Sequence, residues 1–184
     1  MIAILAIDPG GSTGVAYGVF DARAKDRDVG DILRTGVYTG STTIQGDEYA
    51  QIREIARLWT QFFRKNVQIG QMDPDSVEFV SEDFILRPGS HGGGKEGISP
   101  VRILWGVEGY RMGREDEFKG RRNSKHKLTF RRPVILQTAG QAATYASNQR
   151  LRDWDLWVVG KEHERSAWRH IALRVATLHG QGRA

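Results

Sequence analysis

The chain contains no cysteine. That excludes disulfides, thiolate metal sites and cysteine nucleophiles, and suits a reducing cytoplasm, so any metal must be held by carboxylate, imidazole, carbonyl or water. It also lacks any apolar run approaching the roughly 20 residues that cross a bilayer. Its first apolar stretch has neither the basic start nor the small-residue cleavage site of a signal peptide, so a soluble protein without membrane contact is expected. No Gly-Lys-Ser/Thr precedes a helix at phosphate-loop spacing, so no nucleotide cofactor is expected. Acidic residues are outnumbered, 22 against 27 lysines and arginines, for a net charge of +5. Such an excess points to a polyanionic partner where it is clustered. A length of 184 residues, 39% of them hydrophobic, leaves room for one domain spanning 1–184 and no second.

What is present begins with Ile2-Ala3-Ile4-Leu5-Ala6-Ile7, a strand buried on both faces, followed by Asp8-Pro9-Gly10-Gly11-Ser12-Thr13-Gly14 and a second apolar stretch from Val15 to Phe20. Asp8 therefore ends a core strand, where a carboxylate needs a hydrogen-bond network, a cation or a metal. Capping of the turn by Asp8 is the alternative reading. An exposed turn is expected from Phe20 to Asp31 and a third strand over Ile32–Tyr38, making an antiparallel meander. Tyr49, Ile52, Ile55, Ala56, Trp59, Phe62 and Phe63 recur at helical spacing, which predicts a helix from Asp47 to Asn66 packed over the sheet.

Val77 to Leu86 is the fourth predicted strand, with Glu78, Val80, Glu82 and Phe84 on one face, so Glu82 is a second acid among apolar neighbours. The glycine-rich segment at about 87–98, which holds Lys95, is expected to be a flexible loop. Ser99-Pro100 starts a helix running to Gly113. A second flexible loop at about 114–132 carries Lys119, Arg121, Arg122, Lys125, Lys127, Arg131 and Arg132 among aromatics, a pattern suited to a phosphate backbone. Pro133 to Gln137 reads as a fifth strand, Thr138 to Arg150 as a short helix, and Lys161 to His179 as a final helix whose His163, Ser166 and His170 share one polar stripe.

That order, with acids on the first and fourth strands and a polar start to the last helix, resembles the RNase H-like fold. It implies an α/β architecture with a mixed five-stranded sheet, a three-strand antiparallel meander plus two parallel strands, flanked by helices. Ile7-Asp8-Pro9-Gly10, Val80-Ser81-Glu82 and His163-x-x-Ser166-Ala167 are similar to motifs of the RuvC family of Holliday-junction resolvases. Arg165, Arg169 and His170 resemble its phage-type branch, which implies a bacterial or phage-infected host cell. The resemblance implies a homodimeric, metal-dependent endonuclease of branched double-stranded DNA. Asp8, Glu82, His163 and Ser166 would be its catalytic residues, with two Mg²⁺ or Mn²⁺ ions on Asp8, Glu82 and His163. The family usually has Asp where Ser166 stands, and Glu164 or Glu162 is expected to supply the missing charge.

Two other classes share features of this sequence. Asp8-x-Gly10-x-Ser12 also occurs in the phosphate turn of actin-like ATPases and sugar kinases, but that architecture needs two such domains. A non-catalytic branched-DNA-binding protein on the same fold would account for Ser166 and for the basic loop.

Overall fold

In a computed structural model of the chain, the described residues are 1–70, 72–83, 100–111 and 133–181. The strands are β1 (Ile2–Asp8), β2 (Thr13–Phe20), β3 (Val37–Ile44), β4 (Val77–Glu82) and β5 (Ile135–Gln137). They form one sheet in the order β3-β2-β1-β4-β5. β1–β2 and β2–β3 are antiparallel, whereas β4 lies parallel to β1 and β5 parallel to β4. The expected mixed five-stranded sheet is therefore the observed one.

Helices cover both faces. α1 (Val29–Arg34), a pair α4 (Ala139–Tyr145) and α5 (Asn148–Asp153), and the long α6 (Glu162–Gln181) lie on one side. There Ile4, Ala6, Ala16 and Val80 pack against Ala167, Trp168, Ile171 and Val175 of α6. On the other side lie α2 (Glu48–Arg64) and α3 (residues 100–111), whose Ile55, Trp59, Phe62, Ile103 and Val107 pack on Leu5, Ile7, Val15 and Phe79. Alternation along β1 and β4 sends successive side chains to these two cores, which is why Ala3 to Ile7 are all fully buried.

Three expectations change. Ile32, Leu33 and Arg34 belong to α1, and β3 starts only at Val37. Asp28 caps α1 by accepting from the Asp31 amide at 2.8 Å, and Ile32 and Leu33 are buried beside α6, so a short capped helix meets the apolar demand that reads as a strand. On α2, Tyr49 is exposed and Gln51 buried, because Gln51 ties down the turn after Asp8. It accepts from the Thr13 hydroxyl at 2.6 Å and donates to the carbonyls of Gly11 and Gly46. The predicted short helix after β5 is two, α4 and α5. The loops expected at 87–98 and 114–132 lie outside the described residues, and with them Lys95, Lys119, Arg121, Arg122, Lys125, Lys127, Arg131 and Arg132.

Candidate active site

β1 and β4 are parallel neighbours in the register Ile7 to Ser81, so their last residues, Asp8 and Glu82, leave the sheet side by side. Strand spacing puts their backbones about 5 Å apart. Both carboxylates lie under the first half of α6, and their side chains are 14% and 15% exposed.

The start of α6 is seated by a glycine. Gly14 pairs with Asp8 across the β1–β2 ladder, and a Cβ on it would stand 2.0 Å from the His163 carbonyl oxygen and 2.8 Å from the Glu164 nitrogen. Only a bare Cα lets the helix backbone rest on β2 at this point. The contact brings His163 Nδ1 to 3.1 Å from Asp8 Oδ2. Further along the same stripe, His170 is wholly buried, with Nδ1 3.1 Å from Gln137 Oε1 and Nε2 3.7 Å from Glu82 Oε2. Ser166 lies between the two histidines and is half-buried.

Glu164 goes elsewhere. Its two carboxylate oxygens accept from the hydroxyls of Ser41 at 2.7 Å and Thr43 at 2.8 Å, with Lys161 Nζ at 3.8 Å. Thr43 is two strands from Asp8 through Gly14, roughly 10 Å across the sheet. Glu164 thus anchors α6 to β3, which corrects the expectation that it supplements the metal ligands. Glu162 is exposed at the helix start. Arg165 and Arg169 are also structural: Arg165 stacks on Trp157 and donates to the Val158 carbonyl, and Arg169 donates to Asn148.

The electrostatics follow from two buried carboxylates in contact. Burial raises the pKa of Asp8 from 3.8 to about 7, reinforced by the hydrogen bond and negative charge of Glu82 and opposed by His163. For Glu82 burial again works against ionisation, but the approach of His170, the Asp8 carboxyl and the positive charge of both histidines outweigh it and hold its pKa below the usual range. The two acids are thus driven apart, Asp8 toward keeping its proton and Glu82 toward losing it, as adjacent carboxyl groups are when each resists the other's charge. Among the described residues no group of three or more histidine, cysteine, aspartate or glutamate side chains is placed to hold a metal ion. The arrangement is instead two carboxylate–imidazole pairs, Asp8–His163 and Glu82–His170. Such a donor set fits a hard divalent cation that completes its shell with water or phosphate oxygen.

No family model and no curated protein matches the sequence. Two solved structures of RuvC from Thermus thermophilus do match, each over 98% of this chain and 96% of theirs. The one in complex with Holliday junction substrate has a TM-score of 0.54 at 8% identity, and the other a TM-score of 0.50 at 10%. This chain has the RuvC-like, RNase H-like fold.

Within that fold, sequence reasoning gathered Asp8, Glu82, His163 and Ser166, and the structure brings Asp8, Glu82 and His163 together. It left Gln137 and the direct partnership of His170 with Glu82 unassigned. The signal available was the position of His170 on the stripe begun by His163. Gln137 carried a fainter one, as a polar residue ending a core strand.

Proposed function

We propose that this protein is a metal-dependent endonuclease of four-way or related branched DNA, in the manner of a Holliday-junction resolvase. The observation that carries the reading is the meeting of Asp8 and Glu82 at the ends of two parallel central strands beneath His163 and His170. Asp8 and Glu82 would hold Mg²⁺ or Mn²⁺, with His163 beside them. When bound, the cation lowers the pKa of a coordinated water and neutralises charge developing on the phosphodiester and its leaving oxygen; two such ions clamp both.

The residues of the chain supply the rest. His163 orients Asp8 through Nδ1, and its Nε2, on a half-exposed ring, is left to carry a proton to or from the reacting phosphate. Gln51 fixes the turn after Asp8, and Gly14 and Glu164 fix the helix start that carries His163. The basic residues from Lys119 to Arg132, with Lys95, would grip backbone phosphates on the junction arms. A homodimer would present two such sites to a two-fold junction, and Trp105 on α3, 66% exposed, is an apolar side chain such a contact would cover. The basic, cysteine-free chain fits the cytoplasm of a bacterial or phage-infected cell.

Labelled four-way junction, flap, duplex and RNA–DNA hybrid, each with Mg²⁺, Mn²⁺ or chelator, test the reading. Paired symmetric nicks in the junction are expected, with Asp8→Asn and Glu82→Gln each at least ~100-fold slower and still binding. Wild-type cleavage rates in either variant would overturn the site. A second reading, binding without cleavage, is favoured by the commitment of Glu164 to Ser41 and Thr43. Tight junction binding with intact DNA in both metals would establish it instead.

A further inference from the structure

We propose that His170 is itself a ligand of the cation at this site, donating through Nε2 beside Glu82. The proposal rests on the metal-dependent reading above and adds a ligand to it.

His170 is wholly buried, and its Nε2 has no hydrogen-bond partner. Buried polar atoms are rarely left so, because each forgoes the hydrogen bonds it had in water. On the other side of the ring Nδ1 lies 3.1 Å from Gln137 Oε1, and in the neutral tautomer that donates this hydrogen bond Nδ1 carries the hydrogen and Nε2 the lone pair. Nε2 faces Glu82 Oε2 at 3.7 Å, and a proton on His170 or a cation between the two are the ways to satisfy both atoms.

Two lone pairs face each other stably only with something positive between them. A proton there gives an ion pair but no good hydrogen bond, since 3.7 Å exceeds the reach of N–H···O. A cation between them would satisfy both atoms, since a first-row transition ion accepts imidazole and carboxylate ligands together. The donation from Nδ1 to Gln137 is also the outer contact that metal-bound imidazoles characteristically make, since it sets the tautomer and strengthens the donor nitrogen. An imidazole ligand disfavours Mg²⁺, which demands octahedral oxygen donors, relative to a first-row transition ion.

The test uses Mn²⁺ alone as the probe, read by pulsed electron paramagnetic resonance of the full chain without DNA. In His163→Ala protein the bound Mn²⁺ is expected to keep a nitrogen coupling from one imidazole, which His170→Gln in the same background removes. Bound Mn²⁺ without nitrogen coupling in His163→Ala overturns the proposal, and that measurement needs no change at His170. Gln137→Leu is expected to weaken Mn²⁺ binding about 10-fold and Mg²⁺ binding much less, whereas equal losses for both ions would mark a purely structural role. The parent reading fails separately: if wild type binds no Mn²⁺, or if Asp8→Asn/Glu82→Gln protein binds it unchanged, no metal site exists here for His170 to join.

Discussion

Glu78 and Glu82 occupy the same face of β4, and α6 supplies a partner to each, Arg174 to the first and His170 to the second. The two pairs have opposite characters. Arg174 closes on Glu78 through two parallel hydrogen bonds, Nε to Oε2 at 2.6 Å and Nη2 to Oε1 at 2.7 Å, with the Glu78 side chain fully buried. His170 stops 3.7 Å short of Glu82, which also has the Asp8 carboxyl beside it. Four residues advance a strand about 13 Å and a helix about 6 Å, so a long side chain bridges the divergence at Glu78 and a short ring suffices at Glu82. A paired charge at one end locks helix to sheet, while at the other the same two elements bring two acids and two imidazoles together without a closed pair.

The largest effect comes from breaking the closed pair. Arg174→Ala breaks a buried, doubly hydrogen-bonded ion pair, which costs about 3–5 kcal/mol. For a chain of this length that lowers Tm by roughly 6–20 °C in thermal unfolding. Adding Glu78→Gln to it is expected to restore part of the loss, since it removes the buried charge that Arg174 pairs with. If the single variant melts within about 2 °C of wild type, Glu78 and Arg174 are not the lock described here.

Gly14→Ala separates the two ends of α6. The added Cβ meets backbone atoms of His163 and Glu164, which no rotamer change can move, so the first turn of the helix must lift. Overpacking of this kind costs about 1–3 kcal/mol. The displacement falls on His163, 11 residues and about 16 Å along the helix from Arg174. Junction cleavage is expected to fall at least ~10-fold, with the Arg174 contribution to Tm retained on adding Arg174→Ala. Full cleavage activity in Gly14→Ala would show that His163 need not touch Asp8.

Much of this was legible in the sequence, and the reasons differ by element. β1 could be read because an unbroken apolar run has few alternatives to a doubly buried strand, and the polar face of β4 because strand alternation is strict. Asp8 was first ambiguous between turn cap and site. Its carboxylate in fact bonds His163, 155 positions away, and that pairing depends on parallel register and helix placement, which local pattern does not encode. The same limit hid the role of Gln137 and the diversion of Glu164 to Ser41 and Thr43, because both are set by which strand lies under which turn of α6. Ile32-Leu33 misled for a local reason: two adjacent apolar residues suit a strand or a short helix equally, and the Asp28 cap decided it.

The smallest effect has the opposite sign and sharpens the contrast most. Asp8 has its pKa raised from 3.8 to about 7 by burial and by Glu82, so the folded chain holds this proton more tightly than the unfolded chain. Linkage then gives the sign: with the folded-state value above the unfolded one, the native state is penalised as pH rises from about 4 to 7, and the penalty is complete above 7. Asp8→Asn removes it. In chelator at pH 8.5 the variant is expected to be more stable than wild type by on the order of 1–2 kcal/mol, a Tm gain of a few degrees, shrinking toward pH 4.5. Saturating Mn²⁺ should narrow the difference by stabilising wild type alone, since the cation replaces the proton. Neutralising a carboxylate would thus destabilise the chain at neither pH, although the same substitution is expected to abolish cleavage, as befits an acid held for chemistry at the expense of the fold. A Tm loss at pH 8.5 in Asp8→Asn would mean that Asp8 is a structural partner like Glu78, and the distinction between the closed and open ends of α6 would fall.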